Sequence, residues 1–251
     1  LVSPGRPLFI ILIDNMRYDQ WKTISAELSG LFRTVDEDIW FSILPTVTQY
    51  SRNAIFAGLM PLRIEEIMPR FWINDDEEEG KNNFEEELFR SQLSRKNLSF
   101  RWSYNKISSS TEGKKINEKM RQMLDNDLNI LVYNFVDMLS HARTETGLIR
   151  DLAEDEKAYR SLIRSWFIHS SLFELLKMLS EHRARIVFTT DHGTIRVQNP
   201  IRVVGDRKTS TNLRYKMGKN LDYDPSDVFE IRNPEKAMLP KSNISSRYIF
   251  A

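Results

Sequence analysis

Three aspartates stand immediately after short, strand-like apolar runs. Asp14 follows Leu8-Phe9-Ile10-Ile11-Leu12-Ile13, Asp137 ends Ile130-Leu131-Val132-Tyr133-Asn134-Phe135-Val136, and Asp191 ends Ile186-Val187-Phe188-Thr189-Thr190. Two of them carry a histidine at metal-ligand spacing, Asp137-x-x-x-His141 and Asp191-His192. Open α/β sheets bind ligands beyond the carboxyl ends of their strands. Carboxylate and imidazole gathered at such ends suit a divalent metal. An enzyme is the leading reading of that set.

A hydroxyl joins it. In Leu44-Pro45-Thr46-Val47-Thr48-Gln49-Tyr50-Ser51-Arg52-Asn53, Pro45 closes an apolar run and Ser, Thr and Asn chemistry opens a helix that runs to Gly58, with Pro61 beyond. Taken alone, Thr48 reads as an N-cap and Asp14 as the cap of the next helix. The chemical reading keeps that geometry. A helix start presents free N–H groups and the positive end of its dipole, where phosphate settles. A metal on the hydroxyl would ease loss of its proton and make it a nucleophile. Asp191-His192-Gly193 adds a glycine that lets the backbone turn sharply. In Asp14-Asn15-Met16-Arg17-Tyr18-Asp19, Met16 stands where a haloacid-dehalogenase-type phosphatase has its second Asp, so that chemistry fails here. His169, in an apolar helix, and His182, near its end, read as packing and dipole partners.

The elements that must position these residues follow from periodicity. Runs 8–13, 130–136 and 186–190 lack period-two alternation, as expected of strands covered on both faces in a parallel sheet. Residues 39–44 form a fourth candidate and 98–104 a fifth. Helical patterns lie at about 49–58, 85–95, 114–125 and in one long stretch, 151–181, where Leu162, Trp166, Phe173, Leu176 and Leu179 recur at core spacing. Strand-helix alternation predicts an α/β fold: a doubly wound, mostly parallel central sheet with helices on both faces. One domain over 1–251 with a small inserted lobe at about 62–125 is the expected organisation. No internal repeat is visible.

At 251 residues, 41% hydrophobic and 28% charged, the chain is composed like an ordinary globular protein. A net charge of +1 points to no strongly charged partner overall, so local clusters matter more. Asp75-Asp76-Glu77-Glu78-Glu79, followed by Glu85-Glu86-Glu87, reads as a solvated loop entering a helix. In 201–220, Arg202, Arg207, Lys208, Arg214, Lys216 and Lys219 are answered by Asp206 alone. A solvated basic loop is the plain reading; a place just after the third aspartate makes it a candidate for facing an anionic, phosphate-bearing ligand. Without cysteine, thiolate sites and disulfides are excluded, which is compatible with a cytoplasmic location. The longest apolar run is far short of the roughly 20 residues that span a bilayer. The start at Leu1 and the stop within Tyr248-Ile249-Phe250-Ala251 read as those of a fragment of a longer polypeptide.

The order Asp14, Thr48, Asp137-x-x-x-His141, Asp191-His192-Gly193 resembles the alkaline phosphatase superfamily, in which two metals, usually zinc, flank a Thr or Ser nucleophile. Pro45-Thr46-Val47-Thr48 with Gly58-Leu59-Met60-Pro61 is similar to the nucleophile region of its nucleotide pyrophosphatase/phosphodiesterase branch. Ile13 to Asp19, Leu44 to Arg52 and Thr190 to Gly193 resemble a PglZ domain, and more closely the effector domain of PorX-type response regulators. The resemblance implies a phosphodiesterase with Thr48 as nucleophile. One metal would be held by Asp14, Thr48, Asp191 and His192, the other by Asp137 and His141. The family's third ligand to that second metal comes from a late His-Gly-Gly motif, and no histidine follows His192 in this sequence. The implied cofactor is a pair of zinc ions, with manganese as the alternative. The implied substrate is a nucleotide-type diester, such as a short or cyclic oligonucleotide. The implied partners are an upstream receiver domain on the same polypeptide and a second copy in a homodimer. Asn53, Arg207, Lys208 and Arg214 are candidates for binding the non-bridging oxygens. Two rivals remain: a regulatory or binding module that keeps the fold without turnover, and a phosphomonoesterase of the same superfamily.

Overall fold

The computed structural model describes residues 2–3, 5–74, 80–197, 199–207, 209–210, 212–241 and 243–250. In chain order its elements are β1 (Leu8–Ile13), α1 (Tyr18–Ser25), α2 (Thr48–Ala57), α3 (Pro61–Ile67), α4 (Glu85–Arg95), β2 (Trp102–Ile107), α5 (Ser110–Glu118), α6 (Met120–Met123) and β3 (Leu128–Tyr133). There follow α7 (Phe135–Glu145), α8 (Gly147–Leu152), α9 (Glu156–Ile168), α10 (Ser171–Ser180), β4 (Arg185–Thr189), β5 (Tyr215–Gly218), β6 (Phe229–Ile231) and β7 (Arg247–Phe250). They form two compact units, one of residues 1–41 and 99–194, the other of residues 42–98 and 195–251.

The first unit holds a four-stranded parallel sheet in the order β2-β3-β1-β4, amid helices, as an α/β fold requires. β1 lies between β3 and β4, and its side chains on both faces are buried: Phe9, Ile11 and Ile13 on one, Leu8 and Leu12 on the other. That double burial is why the run is uniformly apolar. Phe9, Ile11 and Ile13 join one core cluster with Leu131, Ile163, Phe167, Leu172, Leu175, Leu176 and Leu179. Removing each such side chain from water stabilises the fold by about 1.5–3 kcal/mol. Asn129 is the polar exception inside β3. Its amide donates to the Met123 carbonyl at 2.8 Å, and its oxygen accepts from Asn126 at 2.9 Å and Ser103 at 2.8 Å. Buried amides are tolerated when satisfied in this way.

Several sequence expectations need correcting. Residues 39–44 are not a strand: among the described residues no strand pairs with them, and Ile39, Trp40 and Phe41 are exposed. An apolar run becomes a strand only if an edge receives it, and both neighbours of β1 are already supplied by β3 and β4. The fifth candidate is real but shifted, as β2 at Trp102–Ile107; it lies within the stretch 62–125 and forms an edge of this sheet. The stretch 151–181 is not one helix. Ser170 leaves the helical conformation, and its hydroxyl accepts from the Phe173 N–H at 3.2 Å, capping α10 and separating it from α9. Asp155 caps α9 likewise, accepting from Ala158 N at 2.7 Å. The pattern at 114–125 is split into α5 and α6, and α5 opens on a Ser109–Glu112 capping box.

In the second unit, α2, α3 and α4 accompany a small antiparallel sheet in the order β5-β7-β6. Gly58 ends α2 in the left-handed region at φ 59°, a C-terminal stop that a residue with a Cβ resists. Tyr50 of α2 is joined to Tyr248 of β7 by a 2.9 Å contact between hydroxyls, and Trp72 and Tyr215 meet the Tyr50 ring edge-on. Glu85 departs from the solvated reading of the acidic block. It is buried, and Arg52, also buried, donates to it at 2.7 Å. Removing one partner of such a pair strands a buried charge. Glu86 and Glu87 are exposed, and Asp75–Glu79 lie outside the described residues.

Candidate metal centre

Asp14 and Asp191 leave adjacent parallel strands at the same end, because Leu12 of β1 pairs in register with Thr189 of β4. Neither is a helix cap, for α1 begins from Arg17. The Asp14 N–H still pairs with the Tyr133 carbonyl at 2.9 Å, extending the contact of β1 with β3. Asn15 then turns the chain at φ 61° and donates its N–H to Asp191 Oδ1 at 3.2 Å. Met16 N donates to Thr190 Oγ1 at 3.1 Å, and that hydroxyl donates to the His192 carbonyl at 2.8 Å. His192 N donates to Asp191 Oδ1 at 3.0 Å. Two strand ends are thus laced together by backbone and hydroxyl groups, which leaves the side chains of Asp14, Asp191 and His192 to converge.

They do converge. All three are buried, at 3%, 0% and 4% exposure, and each offers a ligand atom within 4.8 Å of the others. His192 Nε2 lies 3.6 Å from Asp14 Oδ1 and 3.8 Å from Asp191 Oδ2. A tetrahedral zinc with bonds of about 2.0–2.1 Å spaces its ligands about 3.3–3.4 Å apart, so the residues fit such an ion with small adjustment. Two carboxylates and an imidazole also suit manganese, and the donor set alone does not choose. Asn15 Oδ1 is buried with no hydrogen-bond partner among the described residues, an arrangement that costs about 1–3 kcal/mol unless a cation or solvent meets it. Among the described residues this is the one such group of three or more metal-ligating side chains. Gly193 contributes by close approach instead of by a turn: a Cβ there would come within 3.1 Å of Arg17 Cγ, and its φ is not positive.

Asp137 and His141 form a second, looser pair. β3 ends at Tyr133, and Asn134 caps α7, so Asp137 stands in the first helical turn and not at a strand end. One turn along α7, His141 Nε2 lies 3.5 Å from Asp137 Oδ2 on the shared face. Asp137 is mostly buried at 22%, whereas His141 is 67% exposed and its Nδ1 lies 3.7 Å from Glu145 Oε1. Among the described residues this pair does not complete a group of three metal-ligating side chains.

Thr48 is in the second unit. It is the first residue of α2, with Val47 as the N-cap, so it is not itself the cap. Asn82 donates to the Thr48 carbonyl at 3.1 Å, and Arg214 donates to the Thr46 carbonyl. Asn53 is buried and donates to the Lys81 carbonyl at 3.0 Å, while its oxygen accepts from Asn82 at 3.4 Å. Asn53 and Arg214 therefore have duties in holding the start of α2 and the 81–82 segment. Arg207 is exposed, and Lys208 lies outside the described residues. His169 and His182 follow the ends of α9 and α10, and His169 Nδ1 lies 2.7 Å from the Ser165 carbonyl.

The residue that sequence reading passed over is Asn15, whose side-chain amide donates to Asp137 Oδ1 at 3.0 Å. Its signal was an asparagine directly after a strand-end aspartate, since Asn is among the few residues that take the left-handed conformation readily.

A search of curated proteins finds no match to the chain. The family model described as the BREX system PglZ alkaline phosphatase-like domain matches residues 1–247. With nearly the whole length matched, this chain belongs to the PglZ alkaline phosphatase-like domain family.

Proposed function

We propose that the domain is a metal-dependent phosphodiesterase acting on a nucleotide-type diester, such as a short or cyclic oligonucleotide, with Thr48 as nucleophile. The observation that carries this reading is the buried Asp14–Asp191–His192 group in an alkaline phosphatase-like domain. A divalent ion held there would stabilise the negative charge that develops during phosphoryl transfer. Asp14, Asp191 and His192 hold and orient that ion. Thr48 Oγ attacks phosphorus in line; the bond from Thr48 to phosphorus forms, and the bond to the leaving alcohol breaks, with a proton going to that alcohol. Water then cleaves the phosphothreonine and restores the hydroxyl. The first N–H groups of α2 face developing negative charge in this reading, and Arg207, Lys208, Arg214 and Asn53 are the candidates for the non-bridging oxygens.

Bis-p-nitrophenyl phosphate turnover with added zinc or manganese tests it. Thr48→Ala is expected to lower turnover by about 1,000-fold or more, as loss of a nucleophile does. Full activity in that variant would remove Thr48 from the mechanism. Faster hydrolysis of a monoester than of a diester would move the reading to a phosphomonoesterase.

One observation favours a second reading. Among the described residues Asp137–His141 offers two ligand groups, one of them largely exposed. A module that binds a nucleotide without turning it over would be consistent with that, and it would take up one ion or none where the enzyme takes up two. In either reading the domain serves as the output of a two-component response regulator, answering a receiver domain on the same polypeptide, and a homodimer is the expected assembly. Linking a receiver domain and measuring turnover with and without its phosphorylation tests that part.

A further inference from the structure

The second unit holds a cavity of about 640 Å³ lined by Arg202, Val204, Asp222, Tyr223, Asp224 and Pro225. That volume lies within the range of small-molecule pockets, roughly 300–1,000 Å³. Val204 and Asp222 fix its two stretches of backbone against each other, exchanging both N–H to carbonyl bonds at 3.0 and 2.8 Å. Asp222 thus commits its main chain, while its side chain is exposed, as is that of Arg202. Asp224 has a duty in its own turn, where Oδ1 accepts from the Ser226 N–H at 2.9 Å and the Ser226 hydroxyl at 2.8 Å. Tyr223 is half-buried and anchored: its hydroxyl donates to Glu230, and the Arg247 guanidinium lies 5.7 Å from its ring centre. Among the described residues, Arg202 and Asp222 carry opposite charges into this one cavity and do not close on each other as an ion pair.

A guanidinium and a carboxylate held apart in this way suit a ligand with acceptors on one edge and donors on the next. Guanine has both. Its O6 and N7 accept side by side from a guanidinium, and its N1–H and exocyclic amine donate to a carboxylate. Adenine sets a donor beside N7, so the paired bond to a guanidinium fails. A ring anchored as Tyr223 is offers a face on which a base stacks. We infer that this cavity binds the guanine base of a nucleotide, with Arg202 on O6 and N7, Asp222 on the N–H edge and Tyr223 against the ring. The site deepens the nucleotide reading of the proposed function by naming a base, and it rests on that reading for its link to turnover. Binding itself needs neither metal nor catalysis.

Calorimetric titration of the full chain with GMP, AMP, CMP and UMP, in chelator, is the experiment. All four carry the same phosphate, so a difference among them reports the base. GMP should bind about tenfold or more tighter than AMP. Arg202→Ala and Asp222→Asn should each weaken GMP by about tenfold or more and narrow the gap to AMP. Both side chains are exposed, so each variant should keep the wild-type circular dichroism. Equal affinity for GMP and AMP, no binding of GMP at millimolar concentration, or unchanged GMP affinity in both variants would overturn the inference. Guanine-selective binding without hydrolysis of bis-p-nitrophenyl phosphate would leave this site standing and remove the turnover reading. Hydrolysis of that diester by a chain with no guanine preference would do the reverse.

Discussion

Asp14 and Asp191 place two carboxylates in the interior of the first unit, each within 4 Å of the same imidazole nitrogen. Like charges gathered for a ligand oppose folding when the ligand is withheld, and such sites commonly trade stability for function. Asp14→Asn is therefore expected to stabilise chelator-treated protein by about 1 kcal/mol, a rise of about 2–4 °C in melting midpoint for a chain of this size. The same variant should weaken the tighter ion by more than the 10–100-fold typical of an outer-shell loss. Differential scanning calorimetry with and without chelator, paired with metal titration, reads both effects. A variant that melts lower in chelator would show that Asp14 has a structural duty of its own.

Helices around the sheet meet at places where chemistry is specific. Gly113 of α5 lies against Ser171 of α10, and an added Cβ would stand 1.9 Å from the serine hydroxyl. Gly113→Ala gains helix propensity yet should destabilise by about 1–3 kcal/mol through overpacking, measurable by urea denaturation. Helix α1 is tied to α9 by charge. Arg17 binds Asp19 at 2.9 Å and also Glu156, Arg143 reaches Glu156 at 3.0 Å, and Arg160 reaches Asp19 at 3.0 Å. Burial pushes both carboxyls up, but hydrogen bonds from the arginines outweigh it and hold Asp19 and Glu156 below their ordinary values of 3.8 and 4.5. A depressed carboxylate contributes stability above its unfolded pKa and loses it as pH falls through the folded one. Stability of wild type should accordingly decline as pH drops below about 4.5, and Glu156→Gln should show a shallower decline over that window. Equal slopes in denaturation at pH 3–5 would exclude this network as a source of the pH dependence.

At the scale of the whole molecule, the apolar core and the metal-ligating group are separate assets. The core cluster under the parallel sheet is formed by strand and helix side chains without help from Asp14, Asp191 or His192. Chelation should leave far-UV circular dichroism unchanged. Zinc at about 100 times its Kd should add about 2.7 kcal/mol by linkage, equivalent to a rise of about 5–10 °C in melting midpoint. Loss of helical signal on chelation would mean that the ion is part of the fold. Among the described residues no helix is long and apolar enough to cross a membrane.

The amino-acid order was enough to single out three residues that the fold gathers into a possible metal site. A uniformly apolar run followed by Asp marks a buried parallel strand with its ligand at the carboxyl end, so Asp14 and Asp191-His192 could be named before any coordinates. Helix α4 was legible for the same kind of reason, a local pattern with local causes. What the order could not settle depends on distant partners. Residues 39–44 have a strand's composition but pair with no strand among the described residues, and Glu85 looks solvated until Arg52 meets it. Asp137 seemed to end a strand because apolar residues continue past Tyr133, where the backbone has already turned helical. Asn15 gained its meaning only when β1 settled between β3 and β4, since it touches two carboxylates only because β4 delivers one and the helix that follows β3 delivers the other. Residue type fixes which reactions are available; parallel register fixes which residues meet.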